Sequence, residues 1–513
     1  MKIAIAGFGL EGKSNLEYFL HKFPEAEFVI FDEREKLEDV PTGVETVLGE
    51  NAFAQIRGFD LVLRTAGLAP SKIGQSEKHW SATREFFSEC AKKNITIIGV
   101  TGSKGKGTTC SFIYEILRTH LEKPDLSFTG LTGESSQKNR MDSPNKSAND
   151  DRRVFLVGNI GQPSLEILLE LTEHDFVVYE LSSFQLWDLE FSPSVAVMTM
   201  IEPDHLDVHE NMADYVAAKS RIFEFQKAGN VAVYNSADAL VKEIAENAAK
   251  KTGVILQPFP DEKFAHCASN AIASNAKQSS DKDNNGLPRF ARNDGDWFYY
   301  SDKKLFPISV VKLPGKHNLL NACAAINATW NLTIPEAKIG FGLERDAAGE
   351  KIWQVKLQIL EKGLSGFSGL PHRLKFVREI GEVKFYDDSI ATTPGSVIAA
   401  LKSFDEPKIL IVGGHDKGAD YTEMAQEISE RNVRMVFAIG ENRAKIAAAI
   451  RENSDVIVHE LDYKKMNEIV REIWQNTEPG DVVILSPAAA SFDMFRDYQE
   501  RGEKFVAAVR SLE

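Results

Sequence analysis

The sequence predicts an α/β protein of three domains, each built on a mainly parallel sheet. Short apolar runs alternate with helical stretches along the chain, which is typical of βαβ units. Glycine-rich turns follow two of these runs directly, at "AGFGLEG" and "GVTGSKGKGTT". A length of 513 residues also exceeds what one hydrophobic core organises. We place the domains at 1–94, 95–368 and 369–513.

The composition excludes several classes of protein. It is 43% hydrophobic and 26% charged, as in ordinary globular proteins, and the net charge of −15 argues against nucleic-acid and anionic-membrane binding. No apolar run of about 18 residues is present, so no membrane span is expected. The N-terminus begins as a strand without the features of a signal peptide. The four cysteines form no CxxC pair, which fits a cytoplasmic protein without a zinc site or disulfide framework: Cys90, Cys110, Cys267 and Cys323.

The first domain opens with an apolar strand, then Gly7, Gly9 and Gly12, then a helical stretch and a second strand ending at Asp32. This is the dinucleotide fingerprint of a Rossmann-like domain. The glycines would let the backbone approach a pyrophosphate, and Asp32 could bond a ribose hydroxyl. The alternative is a tight βαβ turn without a ligand. The motif leaves the identity of the nucleotide open.

The second domain opens with "ITIIGVTGSKGKGTTC", which predicts a P-loop mononucleotide-binding domain. Gly102, Gly105 and Gly107 permit a tight turn, and Lys106 would begin a helix whose N–H groups and positive end hold phosphates. Gly107 stands where a Mg²⁺-binding hydroxyl residue usually follows the lysine. We therefore assign that oxygen to Thr108, with Thr109 beside it.

Two further residues after strands are candidate metal ligands. Glu180 ends the apolar run "DFVVYE", and His205 lies in "EPDHLDVHE" after the next run. A carboxylate at this place is the usual second ligand of P-loop enzymes, whereas a histidine is less typical for Mg²⁺. A lone histidine there is more often structural. Two polar stretches, 132–151 and 268–286, are interpreted as mobile surface insertions without chemistry.

The third domain repeats the strand–helix rhythm and predicts a doubly wound Rossmann-like sheet. Its polar clusters Asp387–Ser389, His415–Lys417 and Ser486–Pro487 all follow apolar runs. Because ligands of such sheets bind at the carboxyl ends of strands, we expect these clusters to form one site. The alternative is that they cap the following helices.

The motifs together resemble the Mur ligases, the ATP-dependent amide-forming enzymes of peptidoglycan synthesis. The resemblance covers almost the whole chain outside the insertions, and nine stretches carry it in the family's order: "GVTGSKGKGTT", "GNIGQP", "YELSSFQL", "EPDHLDVHENMADYVAAKSRIF", "LPGKHNLLNACAA", "LPHRL", "DDSIATTPGS", "GGHDKGADY" and "SPAAASFDMFRDYQERGEKF". Several are shared with folylpolyglutamate synthases. The first domain, "DDSIATTP" and "SPAAASFDMF" are most similar to the branch that adds D-glutamate, in which the first domain binds UDP.

The resemblance implies a reaction and its catalytic residues. ATP would phosphorylate the alanine carboxylate of UDP-N-acetylmuramoyl-L-alanine, and the amine of D-glutamate would attack the acyl phosphate. Lys106 would hold the ATP phosphates, and Glu180 and His205 would each bind one of two Mg²⁺ ions. Lys219 matches a lysine that is carbamylated in the family, and a carbamate suits a site crowded with Mg²⁺.

The resemblance also implies binding residues. Those expected to hold ATP are Gly102, Ser103, Gly105, Lys106, Gly107, Thr108, Thr109, Asn318, Arg373 and Asp388. Those expected to border the UDP-sugar are Gly9, Gly12, Asp32, Glu33, Arg34, Gly67 and Asn159. Those expected to hold D-glutamate are Thr392, Lys417, Ser491 and Tyr498.

The chain departs from the family pattern at three positions. Gly107 replaces a hydroxyl residue, Ile390 stands where many relatives have lysine, and Tyr498 stands where phenylalanine is common. Three other functions stay open: a ligase of the superfamily with another acceptor, an NAD-dependent oxidoreductase indicated by "GFGLEG" alone, and a nucleotide sensor that Gly107 has made inactive. A monomer is expected.

Overall fold

The structure is a computed structural model that describes residues 1–73, 79–122, 152–158, 163–206, 208–259, 297–300, 303–333, 347–463 and 465–512. Both predicted insertions, together with Cys267 and Asn159, lie outside these ranges. Within them, no helix combines the length and apolar character that a bilayer crossing needs.

The first sheet is parallel throughout and has the strand order β3-β2-β1-β4-β5. Its elements are β1 (Lys2–Ala6), α1 (Leu10–Lys22), β2 (Glu27–Asp32), β3 (Glu45–Leu48), β4 (Leu61–Arg64), β5 (His79–Ser81) and α2 (Ala82–Lys92). Helix α1 packs on the sheet through buried Leu16 and Phe19, one turn apart. Strand order reverses between β1 and β4, so their carboxyl ends frame a crevice of the kind that binds ligands in such sheets.

The second sheet is also parallel and has the order β11-β10-β9-β6-β8-β7. Its elements are β6 (Thr96–Thr101), α3 (Lys106–Leu121), β7 (Val154–Gly158), α4 (Ser164–Ile167), β8 (Phe176–Glu180), α5 (Ser183–Leu186), β9 (Val195–Met198), α6 (Met212–Glu224), β10 (Val231–Asn235), α7 (Ala239–Thr252) and β11 (Ile255–Phe259). Strands β8 and β9 are buried along their whole length, as expected for central strands covered on both faces.

An antiparallel hairpin and two helices follow the second sheet: β12 (Trp297–Tyr300), β13 (Lys303–Pro307), α8 (Lys316–Thr333) and α9 (Ala347–Gly366). Helix α9 packs closely on α3, because a Cβ at Gly363 would lie only 2.6 Å from the Cα of Ile116. This contact needs a glycine and holds the helix that begins at the predicted phosphate loop.

The third sheet has the order β14-β15-β19-β16-β17-β18, with only the β14–β15 pair antiparallel. Its elements are β14 (Lys375–Ile380), β15 (Val383–Asp387), α10 (Pro394–Leu401), β16 (Lys408–Gly413), α11 (Thr422–Glu430), β17 (Val433–Ile439), α12 (Arg443–Asn453), β18 (Ile457–Glu460), α13 (Met466–Trp474), β19 (Val482–Leu485) and α14 (Tyr498–Arg510). Separate buried clusters cover its two faces. The predicted α/β class with mainly parallel sheets is confirmed.

The chain divides into two compact units, one of residues 1–310 with 320–366 and one of 311–319 with 367–513. The first unit contains the first two sheets, which share one buried core. Phe86 and Phe87 on α2 pack against Tyr179 on β8, with ring centroids 5.5 and 5.8 Å apart. The domain boundaries predicted near residues 94 and 368 stay predictions.

Candidate active site

The glycine-rich loop follows β6, which lies between β8 and β9, so residues after all three strands meet at one edge of the sheet. Gly102 and Gly105 have φ of +145° and +84°. A Cβ at Gly102 would lie 1.9 Å from Thr199 Oγ1, and one at Gly105 would lie 2.5 Å from Asn321 Oδ1. Both conformation and space therefore require glycine. The loop has the shape of a cradle for an anion.

Lys106 is the first residue of α3 and folds back over the loop. Its Nζ donates to Gly102 O at 2.9 Å and to Ser103 O at 3.1 Å. The 16-residue helix α3 has no acidic residue in its first turn, so its positive end is not neutralised there. Thr108 and Thr109 are buried in that turn. The loop, Lys106 and the start of α3 thus lie together, and phosphate binding by them stays a prediction.

Ser103 fixes the other side of the loop. Its Oγ lies 2.8 Å from Tyr215 Oη and donates to Glu202 O at 2.9 Å. The backbone N–H of Glu202 donates back to that Oγ at 2.9 Å. These bonds tie the loop to the segment after β9 and to α6, which carries Lys219. The same bonds hold Ser103 and the loop in the observed conformation.

Lys219 is almost completely buried, and its Nζ donates to Gly102 O at 3.0 Å. Burial lowers its pKa well below the usual range of a lysine, and the nearby Lys106 cation lowers that pKa further. Asp204 and Glu180 oppose the shift only in part. A lysine in this state spends more of its time as a neutral amine, which is the nucleophilic form.

Glu180 and His205 lie at the edge of the sheet as predicted. Glu180 is the last residue of β8 and is 7% exposed. His205 is exposed, has φ of +55°, and its ring lies 4.9 Å from that of Phe184. A positive φ in a histidine costs backbone energy and is often found at functional positions.

A cavity of about 290 Å³ joins several of these residues within the first unit. Its lining is Ala66, Gly67, Lys106, Ser182, Ser183, Phe184, His205 and Lys219. It thus brings the predicted uridine-bordering Gly67 to the phosphate-loop lysine. Thr108 and Glu180 are not part of this lining. In the described ranges no three His, Cys, Asp or Glu side chains cluster as a ready metal site, so the predicted metal set depends on Thr108 and a modified Lys219.

The glycine turn after β1 is tightly packed. A Cβ at Gly12 would lie 2.1 Å from Gly7 O, and one at Gly7, where φ is +90°, would lie 2.4 Å from Thr65 Oγ1. At Gly9 and Gly67 a Cβ would meet open space, so these two glycines leave room for a ligand. In this turn, Gly7 and Gly12 are needed for close packing, whereas Gly9 leaves space for a ligand to approach.

Asp32 is occupied by hydrogen bonds inside the protein. Its Oδ2 accepts from Phe8 N and Arg34 Nη2, each at 2.8 Å, and its Oδ1 accepts from Arg34 Nε at 2.8 Å. Arg34 lowers the pKa of this carboxyl to about 2, with smaller contributions from backbone N–H groups. Exposed Glu33 pairs with Lys72 at 2.9 Å. In this structure the Asp32 carboxylate is thus bonded to Arg34 and to the backbone beside the glycine turn, and its predicted role toward a ribose stays a prediction.

In the second unit, the polar clusters follow the neighbouring strands β15, β19 and β16, as expected, and the prediction that they form one site stays a prediction. Asp388 accepts from Ser486 Oγ at 2.7 Å and from Leu374 N at 3.0 Å. Burial raises the pKa of this carboxyl to about 7, although both hydrogen bonds and Arg373 act to lower it. The neighbouring Asp387 accepts from His372 at 2.7 Å.

Buried Arg501 on α14 connects the loops of this edge. Its guanidinium donates to Ser389 Oγ and O, at 2.9 and 2.8 Å, and to Ala489 O at 3.1 Å. Burial lowers its pKa to about 10. These bonds fix the loop that carries Ser491, and Ser389 Oγ donates to Tyr498 O at 2.8 Å. The sequence did not single out Arg501, because an arginine on a helix is usually exposed.

The remaining residues of this unit lie as follows. Exposed Lys417 has its Nζ 5.8 Å from the ring centroid of Phe492, next to Ser491. Thr392 is half-buried after β15. Asn318, near the start of α8, donates to Pro314 O at 2.6 Å. The sequence also did not assign roles to Ala66, Ser182, Ser183 and Phe184, although the motif "YELSSFQL" contains three of them.

Comparison with known proteins gives consistent matches over the whole chain. Residues 100–329 match the Mur ligase middle domain, and residues 372–489 match the Mur ligase, glutamate ligase domain. A protein of Clostridium tetani named UDP-N-acetylmuramoylalanine–D-glutamate ligase is 32% identical over 100% of this chain and 97% of its own length. One of the same name from Acetivibrio thermocellus is 31% identical, with the same coverage.

Solved structures show the same fold at low identity. UDP-N-acetylmuramate-alanine ligase MurC from Thermotoga maritima has a TM-score of 0.53 at 16% identity, covering 100% of this chain and 99% of that one. MurF ligase from Thermotoga maritima in complex with ADP has a TM-score of 0.53 at 18% identity, covering 99% and 94%.

Proposed function

The chain belongs to the Mur ligase family, and from this premise we propose that it is an ATP-dependent ligase that joins D-glutamate to UDP-N-acetylmuramoyl-L-alanine. The reaction proceeds through an acyl phosphate and belongs to the synthesis of a peptidoglycan precursor. Its substrates are those named for the similar proteins of Clostridium tetani and Acetivibrio thermocellus. The cytoplasmic location and the monomeric state stay predictions.

The observation that carries the proposal is the cavity in the first unit. It places the phosphate-loop lysine, His205 and the buried Lys219 beside Gly67, near the glycine turn of the first sheet. A reaction between two anions, a triphosphate and a carboxylate, needs such a concentration of positive charge. The protein has a net charge of −15, so this charge has to be supplied locally.

Each residue of the cradle has a role in this reaction. The N–H groups of the loop and the first turn of α3 hold the phosphates, and Lys106 turns from its carbonyl partners toward the outermost group. This lysine stabilises the charge that develops as the phosphoryl group moves. Ser103 keeps the loop in place through Tyr215. The loop is partly buried, which limits the access of water to the phosphoryl group.

The donor set fits Mg²⁺. Thr108 and Glu180 supply oxygen ligands, His205 a nitrogen, and a carbamate on Lys219 two more oxygens. When bound there, Mg²⁺ would supply positive charge that neutralises the phosphates and the substrate carboxylate. We assign Thr108 and Glu180 to one ion and His205 with Lys219 to a second. The low pKa of Lys219 supports the carbamate, because only a neutral amine adds CO₂.

The first sheet binds the UDP part in this proposal. Gly9, Gly12, Glu33, Arg34 and Gly67 border the nucleotide. Asp32 acts through Arg34, whose guanidinium it holds from both oxygens. An NAD site would instead need these oxygens for ribose hydroxyls, so the hydrogen bonds favour the UDP assignment over the oxidoreductase. Asn159 keeps its predicted role toward the UDP-sugar.

The second unit supplies the amino-acid site. Lys417 provides a cation for a carboxylate of D-glutamate, and Thr392, Ser491 and Tyr498 complete the site. Among the described residues, the neighbours of Lys417 are already paired, His415 with Glu441 at 2.7 Å and Asp416 with Lys445 at 3.2 Å. Asn318, Arg373 and Asp388 keep their predicted roles toward ATP.

The experiment that tests this function measures the mass of the product. The protein is incubated with ATP, Mg²⁺, UDP-N-acetylmuramoyl-L-alanine and, separately, D-glutamate, L-glutamate or meso-diaminopimelate. We expect one condensation product, with D-glutamate only, and one ADP per product. A product with another amino acid would assign the chain to a different ligase of the family. ADP release without any product would contradict ligation.

A further inference from the structure

Arg64 is a completely buried arginine at the carboxyl end of β4, outside the residues assigned so far. Its Nε and Nη2 bind Asp188 bidentately, at 3.0 and 2.7 Å. Nη2 also donates to Phe184 O at 3.1 Å. Two of the three guanidinium nitrogens thus make a bidentate pair with one carboxylate, which a lysine cannot make.

The third nitrogen of Arg64 holds the loop that follows β4. Nη1 donates to Thr65 O at 3.2 Å, Ala66 O at 3.1 Å and Leu68 O at 2.8 Å. A second bond fixes the same loop from its other side, since Ala66 N donates to Glu11 Oε2 at 2.8 Å. Three carbonyls that curl around one cation leave the loop little freedom to shift.

One partner from each group, Ala66 and Phe184, lines the cavity, so Arg64 links two walls of it. Ala66 and Gly67 line it from the loop after β4, and Ser182, Ser183 and Phe184 line it from the segment after β8. Arg64 binds backbone atoms of both walls through a single rigid plane. The common core sets the overall packing of the two sheets, and Arg64 adds a direct hydrogen-bonded link between the two walls of the cavity.

Burial of this charge is expensive, so the arrangement is not explained by stability alone. Taking a buried ion pair out of water is costly, and an apolar pair of similar volume often stabilises a fold equally well. What an arginine–carboxylate fork adds is a fixed geometry between the groups that it bonds.

We propose that Arg64 is a positioning residue that sets the span between the uridine-bordering loop at Gly67 and the reaction centre beside Phe184 and His205. This inference rests on the proposed function. The UDP-sugar substrate is one molecule whose nucleotide end and carboxylate end must be held at the same time. If the walls move independently, binding at one end no longer places the other.

The test compares Arg64→Met and Arg64→Lys with the control Arg153→Met. Arg153 is a control for the loss of an arginine–aspartate pair, because it pairs with Asp175 of the first unit at 2.9 Å; here the aspartate is buried and the arginine exposed. That pair lies at the amino ends of β7 and β8, away from the cavity. For each variant we would measure thermal unfolding, KM for the UDP-sugar, KM for ATP, and the Kd of UDP alone by calorimetry.

We expect Arg64→Met to raise KM for the UDP-sugar at least about tenfold and to leave KM for ATP within about twofold. Arg64→Lys keeps the charge without the fork and should give an intermediate increase. Arg153→Met should destabilise without changing either KM. The proposal is overturned if a folded Arg64 variant matches Arg153→Met in both KM values. If Arg64→Met does not fold, Arg64→Lys alone decides the outcome.

Hydrogen exchange separates this inference from the proposed function. In Arg64→Lys, the amide protons of residues 65–68 and 182–186 should exchange faster than in Arg153→Met, in the absence of any ligand. Unchanged exchange in both segments would overturn the role of Arg64 whatever the substrate is. If exchange is faster in Arg64→Lys but the wild-type protein binds no UDP and makes no product, the coupling of the walls is supported and the proposed function is contradicted.

Discussion

At the scale of single residues, burial decides the chemistry. Lys219 and Lys227 are the same amino acid a short distance apart in the chain, yet Lys219 is buried against the phosphate loop and Lys227 is exposed. The pKa of Lys219 falls because its charged form loses water and faces Lys106. The sequence marked Lys219 only through the family motif, since one lysine on a helix carries no sign of its surroundings.

The first prediction concerns the carbamate. Lys219→Ala should lose most of the ligase activity, because the oxygens expected on this side chain are missing. Added short carboxylates should restore part of it. In the wild-type protein, a carbamate resonance should appear in ¹³C NMR after incubation with labelled bicarbonate. Lys227→Ala is the control and should remain active. Full activity of Lys219→Ala, with no carbamate resonance in the wild type, would refute the assignment.

The second prediction concerns the phosphate cradle. Gly105→Ala should cost about 1–3 kcal/mol of stability and abolish ATP turnover, because φ is +84° and the new Cβ would meet Asn321. Gly43→Ala has a similar φ of +92° but open space around the Cβ. It should therefore show a stability cost without loss of turnover. Normal ADP release from Gly105→Ala would show that the loop does not hold the triphosphate.

At the scale of elements, the third sheet places polar residues together at the carboxyl ends of neighbouring strands. Strands β15, β19 and β16 are neighbours, and Asp388 after β15 bonds Ser486 after β19. The backbone of His415 after β16 bonds that of Ala490. The helix-cap alternative does not describe Asp388, whose carboxylate bonds Ser486 and Leu374. Because the carboxyl of Asp388 is buried, its protonation should change the stability of the protein by a measurable amount.

The third prediction follows from the raised pKa of Asp388. In the folded protein the carboxyl of Asp388 should stay protonated up to about pH 7, whereas in the unfolded chain it loses its proton near the ordinary pKa of 3.8. Between these pH values the free energy of unfolding should fall as pH rises, by up to about 1.4 kcal/mol per pH unit. Asp388→Asn removes this dependence. Urea unfolding of both proteins at pH 4 to 8 measures their free energies of unfolding. The value for the wild type minus that for Asp388→Asn should fall as pH rises, and a rise with pH would contradict the raised pKa of the buried carboxyl.

The sequence predicted central elements better than edges. The runs "VKFYDDS", "KILIVGG", "RMVFAIG", "VIVHEL" and "DVVILSP" of the third segment all form strands. Four of these strands lie inside the sheet, where continuous hydrophobic residues are needed, and β18 lies at its edge. The edge strand β14 and the short β3 were missed, since they are half-exposed and polar. The glycine-rich loop after β6 was predicted because the spacing of its glycines indicates its turn conformation. Arg64 was missed because its burial depends on Asp188, which lies 124 positions away in the chain.

At the scale of the whole molecule, the first two sheets form one unit with a common core, and that unit contains the cavity. The glycine turn, the phosphate loop and Lys219 are therefore held in one framework. A substrate with a nucleotide at one end and a carboxylate at the other suits this arrangement. Membership of the Mur ligase family gives the reaction class, and the cavity shows where its chemistry is expected.

The most direct test follows oxygen from the substrate into phosphate. UDP-N-acetylmuramoyl-L-alanine labelled with ¹⁸O in both carboxylate oxygens is turned over with ATP, Mg²⁺ and D-glutamate, and the released phosphate is analysed by mass spectrometry. Attack of the carboxylate on the outermost phosphoryl group predicts one ¹⁸O in each phosphate, with the other retained in the new amide. Unlabelled phosphate formed together with the amide product would contradict the acyl phosphate and the role given to the cavity around Lys106.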